Sequence, residues 1–275
     1  MKLTFTPEFV LDLCVLARRA GEAILTVRQA CLAQQHELKL DGSPVTQADL
    51  AAHQVIAQGL AALTPKIPVV SEEGHVALDQ PGHSTFWLVD PLDGTREFVA
   101  GSDEFTVNIA LIEHETPVFG VVYVPMTTEL FWGGPKIGAW VERDAAQEPL
   151  QVALPALPNV TRPLRVLASK RHLNAETQAF LAKLGPIDVV NAGSSLKFCR
   201  IAQAQADLYP RLGPTCEWDT AAAQAVLEGA GGYVYDLSGV PLKYGKPDPL
   251  NPFFIASSQP FSELESLLRA RGFTV

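Results

Sequence analysis

Two carboxylates follow an apolar strand on one short turn. Asp90 and Asp93 come directly after the apolar residues 86–89, with Pro91 between the acids and Gly94 after them. Proline and the Asp-Gly pair are typical of turns, so both carboxylates are expected to face the same space. Carboxylates bind hard divalent cations, and free backbone amides at a helix start bind phosphate. Because Gly94 has no Cβ, a ligand can approach the backbone there, and the loop predicts a joint metal and phosphate site.

Two other interpretations of this loop compete with a metal site. An Asp-Gly turn after a strand is often only a turn. Some phosphatases use an aspartate that attacks phosphorus and lies two residues before a second aspartate. That pattern has one residue between the acids, whereas both Pro91 and Leu92 separate Asp90 from Asp93. We therefore interpret both acids as metal ligands with no covalent role.

Three further acids are candidates for the same site. Glu72 follows a short strand at residues 67–70, and three carboxylates at neighbouring strand ends would repel one another unless a cation lay between them. Asp219 opens a helix, where an aspartate is most often an N-cap; the alternative is that it completes the metal site. Asp49 lies in a first helical turn, where the helix dipole favours a negative charge, and a metal role for it stays open.

A glycine-serine segment in the second half of the chain offers a different kind of group. Gly193, Ser194 and Ser195 precede a helix, and Lys197 lies in its first turn. Such a start is usually a plain cap. It also provides amides, hydroxyls and one ammonium that together can bind an anion.

Composition limits the class of protein. The 275 residues are 47% apolar and 19% charged, which is typical of a globular protein, and the net charge is −9. An acidic surface repels nucleic acid, which excludes DNA or RNA binding as a main role. Four widely spaced cysteines indicate idle thiols in a reducing compartment, and no apolar run approaches the length of a membrane span. We predict a cytoplasmic protein; peripheral association with the inner membrane stays open.

Periodicity predicts alternating helices and strands in two domains, residues 1–150 and residues 160–275, with a proline-rich boundary between Arg143 and Pro163. The predicted helices start at Thr6-Pro7, at residues 46–49, at residue 174, at residue 193, at residues 218–219 and at residue 261. The predicted strands lie at residues 67–70, 86–89, 105–112, 118–124, 129–134, 139–141, 164–168, 187–190, 207–209, 233–236 and 253–256.

Three motifs in order resemble the inositol monophosphatase superfamily of magnesium-dependent, lithium-sensitive phosphatases. They are Ser-Glu-Glu at residues 71–73, Asp-Pro-Leu-Asp-Gly-Thr at 90–95, and Trp-Asp-Thr-Ala-Ala at 218–222 with Ala-Gly-Gly closing that helix. Within the superfamily the chain is most similar to CysQ-type 3'(2'),5'-bisphosphate nucleotidases. The finer markers are Arg-Glu-Phe at 96–98, Gly-Ser-Ser-Leu-Lys-Phe-Cys at 193–199, and the segment at 208–215.

The resemblance implies a layered αβαβα fold, classed between α+β and α/β, and a set of roles. One magnesium ion would be held by Glu72, Asp90 and the Leu92 carbonyl, a second by Asp90, Asp93 and Asp219, and a third more loosely through Asp49. Glu72 and the Thr95 hydroxyl would orient and deprotonate the metal-activated water. The substrate would be bordered by Glu72, Leu92, Asp93, Gly94, Thr95, Gly193, Ser194, Ser195, Lys197 and Asp219.

The function implied is removal of the 3'-phosphate of adenosine 3',5'-bisphosphate, in sulfur assimilation or nucleotide recycling. Preference between this substrate and its sulfated precursor is left open, as is the oligomeric state. The alternatives are a phosphatase of the same fold acting on inositol or sugar phosphates, and a silent phosphate-binding regulatory protein. The five expected acids argue against the silent protein. We expect Lys197 to bind the second phosphate of the substrate.

Overall fold

The computed structural model describes residues 3–29, 36–38, 44–74, 84–153, 163–168 and 174–270. In the first half of the chain the elements are α1 (Pro7–Gln29), β1 (His36–Leu38), β2 (Pro44–Thr46), α2 (Gln47–Leu63), β3 (Val69–Ser71), β4 (Thr85–Asp93), α3 (Thr95–Val99), β5 (Thr106–Glu113), β6 (Thr116–Val124), β7 (Glu129–Gly134), β8 (Gly138–Arg143) and β9 (Ala146–Pro149). In the second half they are β10 (Leu164–Ala168), α4 (Ala175–Lys183), β11 (Ile187–Asn191), α5 (Leu196–Ala202), β12 (Leu208–Arg211), α6 (Ala221–Gly229), β13 (Tyr233–Asp236), β14 (Phe254–Ser257) and α7 (Phe261–Ala270).

Two large sheets organise these elements. The first has the order β3-β4-β5-β6-β7-β8-β9, and the second has the order β11-β10-β12-β14-β13. In the first sheet only β3 and β4 pair in parallel; the later neighbours are antiparallel. In the second sheet β10 runs parallel to β11 and β12, and β14 is antiparallel to both of its neighbours. The antiparallel pair predicted at residues 105–112 and 118–124 is confirmed.

Helices cover both sheets on both faces. Along β4, Phe86 and Leu88 pack into one apolar cluster whereas Trp87 and Val89 pack into another, as the alternation of a strand requires. The second cluster is shared with α1 and α2. The first cluster is shared with α5, α6 and one face of the second sheet, and a third cluster joins the other face of that sheet to α4 and α7. The layers therefore follow the expected αβαβα order.

Helix α1 begins where the sequence predicts. The Thr6 hydroxyl accepts a hydrogen bond from the Phe9 amide at 3.3 Å, and Pro7 occupies the first helical position. The buried face includes Leu13, Ala17 and other apolar residues at helical spacing. The last helix, α7, has the predicted bounds.

The predicted boundary stretch between the halves contains a strand that the sequence did not predict. Residues 146–149 lie inside the proline-rich stretch that begins at Arg143, yet they form β9 and pair with β8. The polar sequence of this strand conceals it, because β9 is exposed at the edge of the sheet. Residues 154–162 lie outside the described part. The division into domains 1–150 and 160–275 stays a prediction, and one apolar cluster takes residues from both halves.

Two thiols have the inert character that the sequence predicts. Cys14 and Cys199 are buried, and burial raises the pKa of the Cys14 thiol to about 12 and that of Cys199 further still. Cys31 lies outside the described residues. No helix within the described residues combines the length and the apolar character that crossing a bilayer requires.

Candidate active site

A β-bulge brings Asp90 and Asp93 to the same side of β4. Asp90 pairs with Asn108 and Asp93 with Thr106, so three steps along β4 match two steps along β5. In a regular strand, residues three apart face opposite sides of the sheet. The one extra residue corrects this alternation and turns both carboxylates toward the same space. The strand thus continues to Asp93 instead of ending at residue 89, as the sequence suggested.

The turn after β3 places Glu72 beside this bulge. Ser71 pairs in parallel with Val89, and the Glu72 amide donates a hydrogen bond to the Val89 carbonyl at 3.1 Å. The convergence expected from two neighbouring strand ends is therefore present. The Glu72 charge is among the causes that raise the pKa values of Asp90, Asp93 and Asp219.

Asp219 reaches the same point from the second half of the chain. Thr220, not Asp219, is the N-cap residue of α6, and the Asp219 carboxylate accepts a hydrogen bond from the Cys216 amide at 2.9 Å. The plain N-cap interpretation of Asp219 is therefore wrong. Carboxylate oxygens of Asp90, Asp93 and Asp219 lie within 4.8 Å of one another. Three acids that are distant in sequence thus form one group.

Their mutual repulsion shows in their pKa values. Burial, followed by the charges of Asp93 and Glu72, raises the pKa of Asp219 to about 8. Burial is also the largest cause that raises the pKa of Asp93 to about 6, although Lys197 and the Ser195 amide act in the opposite direction. The pKa of Asp90 is raised by burial and by its four acidic neighbours. Carboxylates that repel one another in this way, one buried and two half-buried, and that offer only oxygen ligands, fit a hard divalent cation.

The two other predicted catalytic residues lie against each other. Asp49 is buried in the first turn of α2, and its Oδ1 accepts a hydrogen bond from the Thr95 hydroxyl at 3.3 Å. The Leu92 carbonyl is an alternative acceptor for the same hydroxyl at 3.2 Å. A charge that only complemented the helix dipole would not need to be buried. The structure therefore links Asp49 to the loop of predicted metal ligands.

Gly94 is held in a conformation that suits glycine. Its φ of +95° lies in the left-handed region, and a Cβ placed on it would lie 2.5 Å from the Ser194 hydroxyl and 3.2 Å from the Glu104 carbonyl. Gly94 precedes α3 as its N-cap, with no side-chain cap. The backbone at this point is thus packed closely against the segment that begins the second-half helix α5.

Gly94→Ala should lower both stability and activity more than Gly101→Ala does. Gly101 is the matched control, because its φ of +76° is also left-handed and nothing lies within 4 Å of an added Cβ. We expect Gly101→Ala to cost about 1–2 kcal/mol from backbone strain, and Gly94→Ala to cost more because Ser194 must move. Thermal unfolding and phosphate release measure the two effects. Equal losses in both variants would show that the contact with Ser194 contributes nothing.

The predicted anion-binding segment mainly holds the two halves of the site together. The Ser194 hydroxyl is within hydrogen-bonding distance of the Asp93 carbonyl at 2.8 Å and the Glu104 carbonyl at 3.1 Å. The Ser195 amide donates to Asp93 Oδ2 at 2.6 Å. Ser195 takes the N-cap position of α5, as the plain cap interpretation expects, but its side chain makes no cap hydrogen bond. These bonds position the Asp93 carboxylate.

The sequence analysis did not predict the hydrogen-bond partners of the Ser195 hydroxyl. Ser195 Oγ lies 2.9 Å from Thr106 Oγ1 and donates to Asn108 Oδ1 at 2.8 Å, and all three residues are buried. Asn108 Nδ2 lies 3.5 Å from Asp93 Oδ2. A signal was available, because Thr106 and Asn108 are the two polar residues in the otherwise apolar run 105–112 and lie two apart on one face.

A cavity of about 150 Å³ opens beside the acids. Gly193, Ser194 and Lys197 line it, whereas the buried Ser195 does not. Asp93, Gly94 and Asp219 also line it. Glu97, Arg211 and Thr215 also line the cavity. The sequence analysis used Glu97 to separate a nucleotidase from an inositol phosphatase, and it used Arg211 and Thr215 only as markers of the subfamily.

Comparisons with known proteins agree with this geometry. A model of the inositol monophosphatase family matches residues 8–270. The 3'(2'),5'-bisphosphate nucleotidase CysQ of Escherichia coli O157:H7 is 46% identical over 248 residues, which are 90% of this chain and 98% of the relative. The crystal structure of CysQ from Bacteroides thetaiotaomicron, described as a bacterial member of the inositol monophosphatase family, is similar with a TM-score of 0.79. It is 36% identical, and the alignment covers 94% of this chain and 100% of the other.

Proposed function

This chain belongs to the inositol monophosphatase family, and we propose that it is a magnesium-dependent phosphatase that removes the 3'-phosphate of adenosine 3',5'-bisphosphate. The observation that carries this proposal is that carboxylate oxygens of Asp90, Asp93 and Asp219, which come from both halves of the chain, lie within 4.8 Å of one another. The chain is also 46% identical to a 3'(2'),5'-bisphosphate nucleotidase. The sulfated precursor of this nucleotide is a second candidate substrate of the same site.

The family is metal-dependent, and the oxygen ligands favour magnesium. We propose that Glu72, Asp90 and the Leu92 carbonyl hold one ion, that Asp90, Asp93 and Asp219 hold a second, and that Asp49 supports a third. When bound, the ions would lower the pKa of water and stabilise charge on the phosphate and the leaving group.

The side chains of this chain then supply positioning and proton transfer. We propose that the Glu72 carboxylate accepts a proton from the attacking water, and that Thr95 Oγ1 orients that water. Thr95 can accept from the water because its own proton is directed to Asp49 Oδ1 or to the Leu92 carbonyl. The amides of Gly94 and Thr95 are proposed to bind the phosphate that is removed. The reaction requires no side-chain nucleophile, because phosphoryl transfer depends mainly on positioning and charge stabilisation.

A substrate comparison tests the proposal. Phosphate release is measured with magnesium from adenosine 3',5'-bisphosphate and from inositol 1-phosphate. We expect a kcat/KM at least about tenfold higher for the nucleotide, since a second phosphate can add a charged hydrogen bond. A preference for inositol 1-phosphate would favour the alternative phosphatase, and no turnover of either would favour the silent regulatory protein. The cytoplasmic location stays a prediction.

A further inference from the structure

The turn that carries Asp219 is held by Asn251, a residue from a distant part of the chain. The Cys216 amide donates to Asp219 Oδ2 at 2.9 Å. The other end of that peptide unit, the Thr215 carbonyl, accepts from the Asn251 backbone amide at 2.9 Å. Because a peptide unit is planar, a hydrogen bond at its carbonyl also fixes the direction of its N–H. The backbone of Asn251 thus orients the N–H that holds the Asp219 carboxylate.

The side chain of Asn251 holds the same turn at two further points. It is buried, and its Nδ2 donates to the Cys216 carbonyl at 2.9 Å and to Thr220 Oγ1 at 3.0 Å. Asn251 Oδ1 is shielded from solvent and has no hydrogen-bond partner within the described residues. An unpaired buried oxygen is unfavourable. What this side chain contributes is therefore the pair of hydrogen bonds made by its nitrogen, on both sides of Asp219.

Glu217 joins the turn to the segment that precedes residue 251. We call residues 243–251 the clamp segment. The buried Glu217 carboxylate accepts from the amides of Gly245 and Lys246 at 2.7 and 3.1 Å, and it also pairs with the Lys246 ammonium. The Glu217 amide donates to the Pro249 carbonyl at 2.8 Å. The clamp segment is thus bonded to the turn of Asp219 along most of its length.

The clamp segment also contacts the first half of the chain. The Tyr244 amide donates to the Glu115 carbonyl at 3.0 Å, in the turn between β5 and β6, and the Lys243 ammonium lies 2.9 Å from the Glu115 carboxylate. Strand β5 pairs with β4, which carries Asp90 and Asp93. One segment is therefore bonded both to the turn of Asp219 and to the sheet that holds the other two acids.

We propose that Asn251 is a positioning residue for Asp219, and that the clamp segment holds the Asp219 carboxylate at its place opposite Asp90 and Asp93. The three carboxylates repel one another, so a turn that was free to move would carry Asp219 away from the other two acids. A ligand that is already held in place binds a cation more tightly, which is why outer partners of a metal site affect metal affinity. This inference rests on the proposed function, because it takes Asp219 as a magnesium ligand.

Magnesium binding to the metal-free protein tests the inference without using turnover. The magnesium dissociation constant is measured by titration calorimetry, and thermal unfolding shows that each variant is folded. The variant Asn251→Ala removes both side-chain hydrogen bonds. The matched control is Gln259→Ala, because Gln259 is also a buried carboxamide whose nitrogen donates to a backbone carbonyl, that of Ala153 at 3.2 Å, and it does not line the cavity.

We expect Asn251→Ala to weaken magnesium binding about tenfold or more, and Gln259→Ala to leave it unchanged although both variants lose a buried hydrogen bond. In the Asp219→Asn background, Asn251→Ala should cause no further loss of magnesium affinity. A residue that acts through the Asp219 carboxylate has no effect once that carboxylate is gone, whereas a merely structural residue would have the same effect in both backgrounds.

Three results would separate this inference from the proposed function. Unchanged magnesium affinity in Asn251→Ala, or an equal loss with and without the Asp219 carboxylate, would overturn the inference and leave the proposed function intact. If Asn251→Ala did not fold, Glu217→Gln would take its place in the same comparison, with a smaller loss expected and the same criteria. If the unaltered protein bound no magnesium, the proposed metal site would be wrong and this inference with it.

Discussion

Replacing Asp219 by asparagine should lower kcat for adenosine 3',5'-bisphosphate by on the order of 100-fold or more, because outer partners of a metal site already contribute 10- to 100-fold and Asp219 is a proposed direct ligand. It is also the acid of the three-carboxylate group that comes from the second half of the chain. Steady-state phosphate release at saturating magnesium measures the loss. Asp188→Asn, which removes an exposed carboxylate from β11, is the matched control and should leave kcat unchanged.

The same substitution should stabilise the metal-free protein. Burial and the charges of Asp93 and Glu72 raise the pKa of Asp219 to about 8, whereas an unfolded aspartate titrates near 4. Between these values the folded state holds a proton that the unfolded state has released, so the stability of the metal-free protein falls as pH rises through this window. Because asparagine has no carboxylate to deprotonate, Asp219→Asn removes this pH-dependent loss from the free energy of unfolding.

Unfolding in chelator at pH 5 and pH 8 separates this effect from misfolding. We expect the unaltered protein to lose more stability between the two pH values than Asp219→Asn does. A variant that is both inactive and less stable at pH 8 would show that Asp219 serves the fold. Near-normal turnover in a stable variant would show that Asp219 is not a metal ligand.

Removing divalent cations should abolish turnover, and adding magnesium should restore it. The reason is the group of three carboxylates, Asp90 buried and Asp93 and Asp219 half-buried, which have raised pKa values and oxygen atoms within 4.8 Å of one another. Magnesium should also raise the melting temperature of the metal-free protein, because an ion that binds only the folded state stabilises it. Lithium should inhibit, as the family resemblance implies. Full activity in excess chelator would contradict the metal requirement.

The Asp188→Asn variant is a charge control for the increase in melting temperature that magnesium causes. In Asp219→Asn, the increase in melting temperature caused by magnesium should be much smaller than in the unaltered protein, because one proposed ligand is missing. In Asp188→Asn the increase should be unchanged. If magnesium raised the melting temperature of Asp219→Asn as much as that of the unaltered protein, the stabilising ion would bind at a site that does not include Asp219.

The strands that carry the site and most of its acids could be predicted from the sequence, because their signals are local or repeated. The apolar alternation of β4 identified a buried strand, and the Asp-Gly turn after it identified the loop. Two strand ends with acids predicted the convergence of Glu72 with Asp90. The role of Asp219 came only from the family motif, because the local signal of an aspartate at a helix start equally indicates a cap.

The parts that escaped prediction depend on contacts between distant segments. The bulge of β4 depends on its register with β5, which a single strand does not specify. The Ser195 hydroxyl was expected at a ligand, but it bonds to Thr106 and Asn108, which lie almost 90 residues earlier. The cavity that Arg211 lines beside the acids forms only when segments from both halves of the chain are assembled. The exposed strand β9 lacked the apolar alternation that reveals buried strands.

The most direct measurement is identification of the products formed from adenosine 3',5'-bisphosphate by phosphorus NMR in the presence of magnesium. The account predicts inorganic phosphate and adenosine 5'-monophosphate in equal amounts, with no such products from Asp219→Asn over the same period. Adenosine 3'-monophosphate as the product, or equal product from Asp219→Asn, would contradict it.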